Sequence, residues 1–251
     1  KVVFIGAGPG DPELITLKGK RYLEQADVVI YAGSLLNPEI LKYAKSSAKL
    51  YDSAKMSLPE VLKVMVEAIK AGKAVTRVHD GDPSFYGAIQ EQMDALDKEK
   101  IEYFRIPGVS CLQGGAGALN RELTLPNISQ TVIITRPEGR TPVPEAESIC
   151  KLAQHQATMV IFLGTPHIAK VVEDLQKGGY PKDTPVSVVY KATWPQQKIV
   201  KGTLGDIVAK VKAANITETA LIFVGKVMNP EAYDLSKLYD PKFTTGFRKG
   251  E

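Results

Sequence analysis

Four apolar runs of strand length, at 2–5, 27–31, 74–78 and 102–106, are separated by helix-like stretches at 12–25, 58–71 and 86–98. Strands that alternate with helices are joined by crossovers, which set the strands parallel with helices on the sheet faces. Ligands of such open sheets bind outside the carboxyl ends of the strands. Two loops fall at that edge. Gly6-Ala-Gly-Pro-Gly-Asp11 follows the first run, and His79-Asp-Gly-Asp-Pro83 follows the third. Asp11-Pro12-Glu13 reads as a helix start, with Asp11 as N-cap, Pro12 at the first helical position and Glu13 near the positive helix end. The first loop is therefore short and tight. Pro107-Gly108 ends the fourth run, and the small residues of 110–119 permit close backbone approach, with Ser110 as a further N-cap.

After Pro126 the rhythm changes. Strand candidates at 131–135, 158–163, 185–190, 197–201 and 220–225 accompany helix-like stretches at 145–154, 166–177 and 204–214. Trp194-Pro195-Gln196 between two β-like runs predicts a hairpin rather than a helical crossover, so this half is mixed. The chain divides into two lobes, 1–120 and 121–240, followed by a polar, aperiodic segment, 241–251, expected to be a flexible tail.

The balance of 32 Lys plus Arg against 28 Asp plus Glu, net +4, is spread along the chain. Without a dense basic face it speaks against a nucleic-acid partner and favours small anions only weakly. No apolar run approaches the roughly 18 residues of a membrane span, and Lys1 leads into a strand rather than a signal-peptide core. The absence of an initiator methionine is read as trimming. Cys111 and Cys150 lack metal-ligand spacing, as do His79, His155 and His167, so no protein metal site is expected. Reduced cysteines and a cytoplasmic location are the default.

Gly6-x-Gly8-x-Gly10 departs from the dinucleotide fingerprint, because Asp11 stands where its third glycine belongs and would repel a pyrophosphate. No acidic residue follows Tyr31-Ala32-Gly33 to hold a ribose. The acidic turn has two readings. Asp80 and Asp82 cap the next helix and stiffen the turn, or the turn binds a zwitterionic amino-acid moiety while its field attracts an ammonium or sulfonium. His79 reads as a hydrogen-bonded structural residue. Ser110-Cys111 lacks a nucleophile elbow. Among the basic residues, Arg136 and Arg140, in a loop rich in Pro and Gly, suit carboxylate binding. Trp194 packs in a core or flanks a planar ligand.

Gly6-Ala-Gly-Pro-Gly-Asp11-Pro, Ala26-Asp-Val-Val-Ile-Tyr31, His79-Asp-Gly-Asp-Pro83 and Pro107-Gly-Val-Ser110, in this order and spacing, resemble the tetrapyrrole methylase family over nearly the whole chain. Within it, Tyr31-Ala-Gly-Ser-Leu35, Gly87-Ala-Ile-Gln-Glu-Gln-Met93, the segment Thr135 to Pro144 and Val189-Tyr-Lys-Ala-Thr-Trp-Pro195 resemble the branch that methylates carbon 11 of precorrin-4 or cobalt-precorrin-4 in cobalamin biosynthesis. The resemblance implies an α/β fold of two lobes with the cofactor cleft between them, and a homodimer. The implied cofactor is S-adenosylmethionine, released as S-adenosylhomocysteine. Carried over by position, Pro9, Asp80, Gly81, Asp82, Phe85, Ser110, Cys111, Leu163, Ala192 and Ala220 line the cofactor site. Arg136, Arg140 and Lys191 are the candidates to grip the acetate and propionate groups of an anionic tetrapyrrole.

One departure bears on chemistry. Uroporphyrinogen-methylating relatives carry Asp after the Tyr of the second strand, where this chain has Ala32, and a Lys where Ser53 or Ala54 falls, with Lys55 only nearby. No catalytic base is thereby identified. Methylation of a different carbon of a related precorrin or uroporphyrinogen, and a non-catalytic protein that binds S-adenosylmethionine, remain alternatives.

Overall fold

The structure, a computed structural model, describes residues 1–251. It contains two compact units, Lys1–Gly115 with Lys191–Gln197, and Ala116–Tyr190 with Lys198–Glu251. The segment Lys191–Gln197, placed by sequence in the second lobe, thus belongs to the first unit.

The first unit holds strands β1 (Val2–Gly6), β2 (Val28–Tyr31), β3 (Lys49–Asp52), β4 (Val75–His79) and β5 (Tyr103–Ile106) in the order β3-β2-β4-β1-β5. All pairings are parallel. Alternate side chains face opposite ways, and both faces are covered. Val2, Phe4, Val28, Ile30 and Val75 pack with Val61 and Met65 of α2 (Leu58–Lys70) and with Met93 and Leu96 of α3 (Gln90–Lys98). Val3, Ile5, Val29, Val78 and Ile106 pack on the other side with Ile15, Ile40 and Leu23 of α1 (Leu17–Gln25). α2 opens on a capping box, the Ser57 amide donating to Glu60 Oε2 at 2.7 Å.

Three expectations change. Lys49–Asp52, short and half exposed, is a fifth strand that hydrophobic patterning did not mark. The stretch 12–25 is a 3-10 turn, Pro12–Leu14, then α1, because Thr16 restarts the helix by accepting the Gly19 amide at 3.1 Å. Helix does not begin at 86 either. Tyr86 and Ala88 have φ of 56° and 48°, in the left-handed region, so α3 starts only at Gln90.

The chain leaves β1 towards β2 on one side and leaves neighbouring β4 towards β5 on the other. The loops after β1 and β4 therefore meet at a topological switch point. Past β5, α4 (Cys111–Leu119) begins, with Ser110 Oγ accepting the Leu112 amide at 3.3 Å.

In the second unit, β6 (Val132–Thr135), β7 (Thr158–Ile161), β8 (Pro185–Tyr190), β9 (Lys198–Thr203) and β10 (Ala220–Val224) run in the order β6-β7-β10-β8-β9. Only β6–β7 is parallel, and β8–β9 is the expected antiparallel hairpin. Met159, Ile161, Val188, Ile222 and Val224 pack against α5 (Ile149–Ala153), α6 (Ile168–Lys177) and α7 (Ile207–Ala213). Residues 240–251 form no strand or helix. No helix is long and apolar enough to cross a membrane.

Candidate functional site

The two loops at the switch point of the first unit are joined by their backbones. Ala7 N–H donates to the His79 carbonyl at 2.8 Å, Gly81 N–H to Gly8 at 2.8 Å, and Gly8 N–H to Gly81 at 3.3 Å. Glycine is required here by space as well as conformation. A Cβ on Gly6 would lie 2.5 Å from the Gly81 carbonyl oxygen and 2.7 Å from Gly108 Cα, while Gly8 and Gly81 have φ of 86° and 55°.

The first loop is held from three directions. Asn37 Nδ2 donates to the Gly10 carbonyl at 2.8 Å, Thr193 Oγ1 accepts from Asp11 N–H at 2.9 Å, and Trp194 Nε1 donates to the Pro9 carbonyl at 3.0 Å. Gly114 of α4 lies against the Pro9 ring, where a Cβ would sit 2.6 Å from Pro9 Cβ. Asn37 went unnoticed in the sequence. Its signal was Asn-Pro at the start of the 3-10 turn Pro38–Tyr43, where Asn37 Oδ1 accepts the Glu39 amide.

The two carboxylates of the acidic turn differ. Asp82 Oδ1 accepts the Ser84 amide and Oδ2 the Gly108 amide, both at 2.8 Å. Burial alone would raise this carboxyl, but hydrogen bonds from Ser84 and Gly108 and the charge of Arg105 outweigh it and hold it below the usual carboxylate value. The structural reading of the turn holds for Asp82, which fastens the loop. Asp80 is half-buried and has no ion pair or backbone anchor from another residue, and the Cys111 thiol lies beside it, Sγ to Oδ2 at 4.0 Å. Burial pushes the Asp80 carboxyl up, and burial together with Asp80 pushes Cys111 up to about 12. A carboxylate in that position is complementary to a cationic ligand group.

Beside Asp80 opens a pocket of about 230 Å³. Ala32, which stands where the resemblance places an Asp in uroporphyrinogen-methylating relatives, lines it, as does Ser53, one of the two positions, with Ala54, that fall where those relatives carry a Lys. His79 and Arg77 are in its wall. Contrary to the sequence expectation, His79 Nε2 is buried with no hydrogen-bond partner. Burial and then Arg77 lower its pKa to about 3, so the ring is neutral.

The remaining candidates are distributed. Phe85 follows the turn and is partly exposed, Ser110 caps α4, and Ala192 is buried between Lys191 and Thr193, whose φ values are 46° and 69°. The Lys191 ammonium lies 4.8 Å from the Trp194 ring centroid. In the second unit, Leu163 follows β7 with φ of 54° and is exposed, and the Ala220 carbonyl at the start of β10 accepts Thr165 Oγ1 at 3.3 Å. Arg136 donates to the carbonyls of Pro137, Thr141 and Pro142 at 3.0–3.1 Å, so much of its guanidinium closes its own loop, whereas Arg140 is exposed. No group of three or more His, Cys, Asp or Glu is placed to hold a metal ion.

The model of the family described as Tetrapyrrole (Corrin/Porphyrin) Methylases matches residues 1–208. The chain is 58% identical over 249 residues to a cobalt-precorrin-4 C(11)-methyltransferase of Methanocaldococcus jannaschii, covering 99% of this chain and 96% of that protein. It is 46% identical over 250 residues to a precorrin-4 C(11)-methyltransferase of Pseudomonas aeruginosa, covering 100% and 99%. Among solved structures, it resembles the X-ray structure of a cobalamin biosynthetic enzyme, cobalt precorrin-4 methyltransferase, with a TM-score of 0.89 and 45% identity over 91% of this chain and 96% of that one.

Proposed function

The chain belongs to the tetrapyrrole (corrin/porphyrin) methylase family, and from that membership we propose that it methylates carbon 11 of cobalt-precorrin-4. It is an S-adenosylmethionine-dependent C-methyltransferase of cobalamin biosynthesis. The observation that carries this reading is 58% identity across nearly the full length of a cobalt-precorrin-4 C(11)-methyltransferase. The cobalt form is assigned by that relative, and cobalt travels with the substrate rather than with a protein site.

The first unit fits the cofactor. Asp80 is a half-buried carboxylate without a protein cation, suited to an ammonium or sulfonium, and the loops of Pro9 and Gly81 offer closely spaced backbone groups for the rest of an amino-acid moiety. S-adenosylmethionine supplies an electrophilic methyl whose departure leaves neutral S-adenosylhomocysteine. The leaving group needs no acid, so the protein's task is orientation and a fixed polar environment. Asp82 keeps the turn rigid, and Phe85, Ser110, Cys111 and Ala192 of the same unit belong to the cofactor set. Each of Arg140, Lys191 and the remaining donors of Arg136 is a candidate to hold a carboxylate of the substrate. The enzyme works in the cytoplasm as a homodimer.

The test is incubation with S-adenosylmethionine carrying a labelled methyl and either cobalt-precorrin-4 or metal-free precorrin-4, with the label located by NMR. Label on carbon 11 of the cobalt form is expected. Label on another carbon, or preference for the metal-free form, overturns the corresponding part, and cofactor binding without transfer points to a sensing protein.

A further inference from the structure

Arg77 is 6% exposed and forms no salt bridge. Its hydrogen bonds go to neutral acceptors, Nε to Gln92 Oε1 at 3.2 Å and Nη1 to the carbonyls of Ile30 and Val78 at 3.3 and 3.4 Å, and Nη2 makes none. A buried cation without a counter-charge is costly unless a ligand supplies one. Two positions along β4, His79 is 4% exposed and its Nε2 has no partner. Both residues line the 230 Å³ pocket, which also has an apolar wall of Met56, Leu58 and Val61 and the ring of Tyr86. Two deeply buried residues with incompletely satisfied nitrogen groups, both lining one pocket that also carries apolar surface, describe a receptor for an anion on an apolar stem.

We propose that Arg77 and His79 form a carboxylate subsite in this pocket that takes one acetate or propionate arm of the tetrapyrrole, a deepening that rests on the substrate class proposed above. A carboxylate is planar and accepts from a guanidinium and an imidazole together. The pocket's own acids do not serve. Asp80 and Glu91 line it, but neither forms an ion pair with Arg77; Glu91 is exposed, and Asp80 is the acid assigned above to the cofactor's cation. The imidazole, neutral in the free protein, moves towards the imidazolium when an anion is seated beside it.

Sodium propionate, with sodium chloride at equal ionic strength as control, is titrated into the protein labelled with ¹⁵N in histidine. Saturable shifts of the His79 ring signals with propionate alone are expected, and they vanish in Arg77→Gln. Equal or non-saturating responses to the two salts overturn the subsite. In steady-state kinetics with cobalt-precorrin-4, His79→Gln and Arg77→Lys each raise the tetrapyrrole KM by about ten-fold, with the S-adenosylmethionine Kd unchanged by calorimetry. An unchanged KM sinks the proposal, and a parallel weakening of S-adenosylmethionine assigns the pocket to the cofactor's carboxylate instead. If wild-type protein methylates no form of precorrin-4, the proposed function fails, while the propionate titration still decides the subsite.

Discussion

The indole Nε1–H of Trp194 donates to the Pro9 carbonyl at 3.0 Å, joining residues 185 positions apart. The same ring lies so close to Gly10 that a Cβ there would sit 2.0 Å from its Cδ1 and 2.3 Å from its Nε1. Trp194 is thus a brace for the glycine loop, and the loop is built of glycine partly to admit it.

Gly10→Ala forces the indole out and breaks its bond to Pro9. A loss of about 1–3 kcal/mol in stability is expected from overpacking, with weaker S-adenosylmethionine binding. Trp194→Phe, which removes the donor together with part of the ring, should cost about 1–2 kcal/mol. Chemical denaturation and calorimetric titration of both variants check the order, and wild-type stability in the Gly10→Ala variant contradicts it.

Asp80→Asn and Asp82→Asn should separate binding from folding. Asp82 satisfies two backbone amides, so its loss lowers stability by about 1–3 kcal/mol. Asp80 satisfies none and is ionised against the cost of burial, so the Asp80→Asn variant keeps or raises its melting temperature and loses cofactor affinity. Because burial raises the folded-state pKa of Asp80 above 3.8, wild-type affinity for the cationic cofactor falls as pH drops through that raised value. With the carboxyl replaced by an amide, the dependence is flattened. Calorimetry between pH 7 and pH 4.5 gives the comparison.

His79 makes folding acid-sensitive. The unfolded chain protonates this imidazole near 6.5 and the folded one only near 3, so the unfolded state binds more protons in between. Stability rises with pH there and is lost on acidification from 6.5 towards 3, at up to about 1.4 kcal/mol per pH unit. Asp82, shifted down, adds a loss below 3.8, whereas Asp80, shifted up, opposes it. Melting temperatures from pH 7 to 5 should fall less steeply in His79→Gln than in wild type, and parallel curves would remove His79 from the account.

Arg136→Ala and Arg140→Ala should differ in kind. Arg136 ties Pro137, Thr141 and Pro142 into one loop, so its loss increases protease cleavage and amide exchange around 136–142. Loss of exposed Arg140 leaves the loop protected and raises the tetrapyrrole KM by a few-fold. Limited proteolysis beside steady-state kinetics distinguishes them.

What local chemistry controls was readable in the chain. The alternation from Val2 to Ile106 specifies a parallel sheet because apolar period and crossover length are properties of short segments, and Asp11, Ser110 and the β8–β9 hairpin behaved as their residue types dictate. Short Lys49–Asp52 escaped because half its residues are exposed, and Tyr86 and Ala88 escaped because nothing in their residue types announces a left-handed backbone. The individual roles in the site were decided only by tertiary structure. Asp80 and Asp82 are the same residue type two positions apart, yet the Gly108 amide, 26 residues on, reaches one and not the other. His79 read as an ordinary satisfied histidine until folding removed it from water without giving Nε2 a partner. Burial, and which distant amide or cation lies within reach, are properties of the assembled sheet, and they determine which groups are structural and which remain open to a ligand.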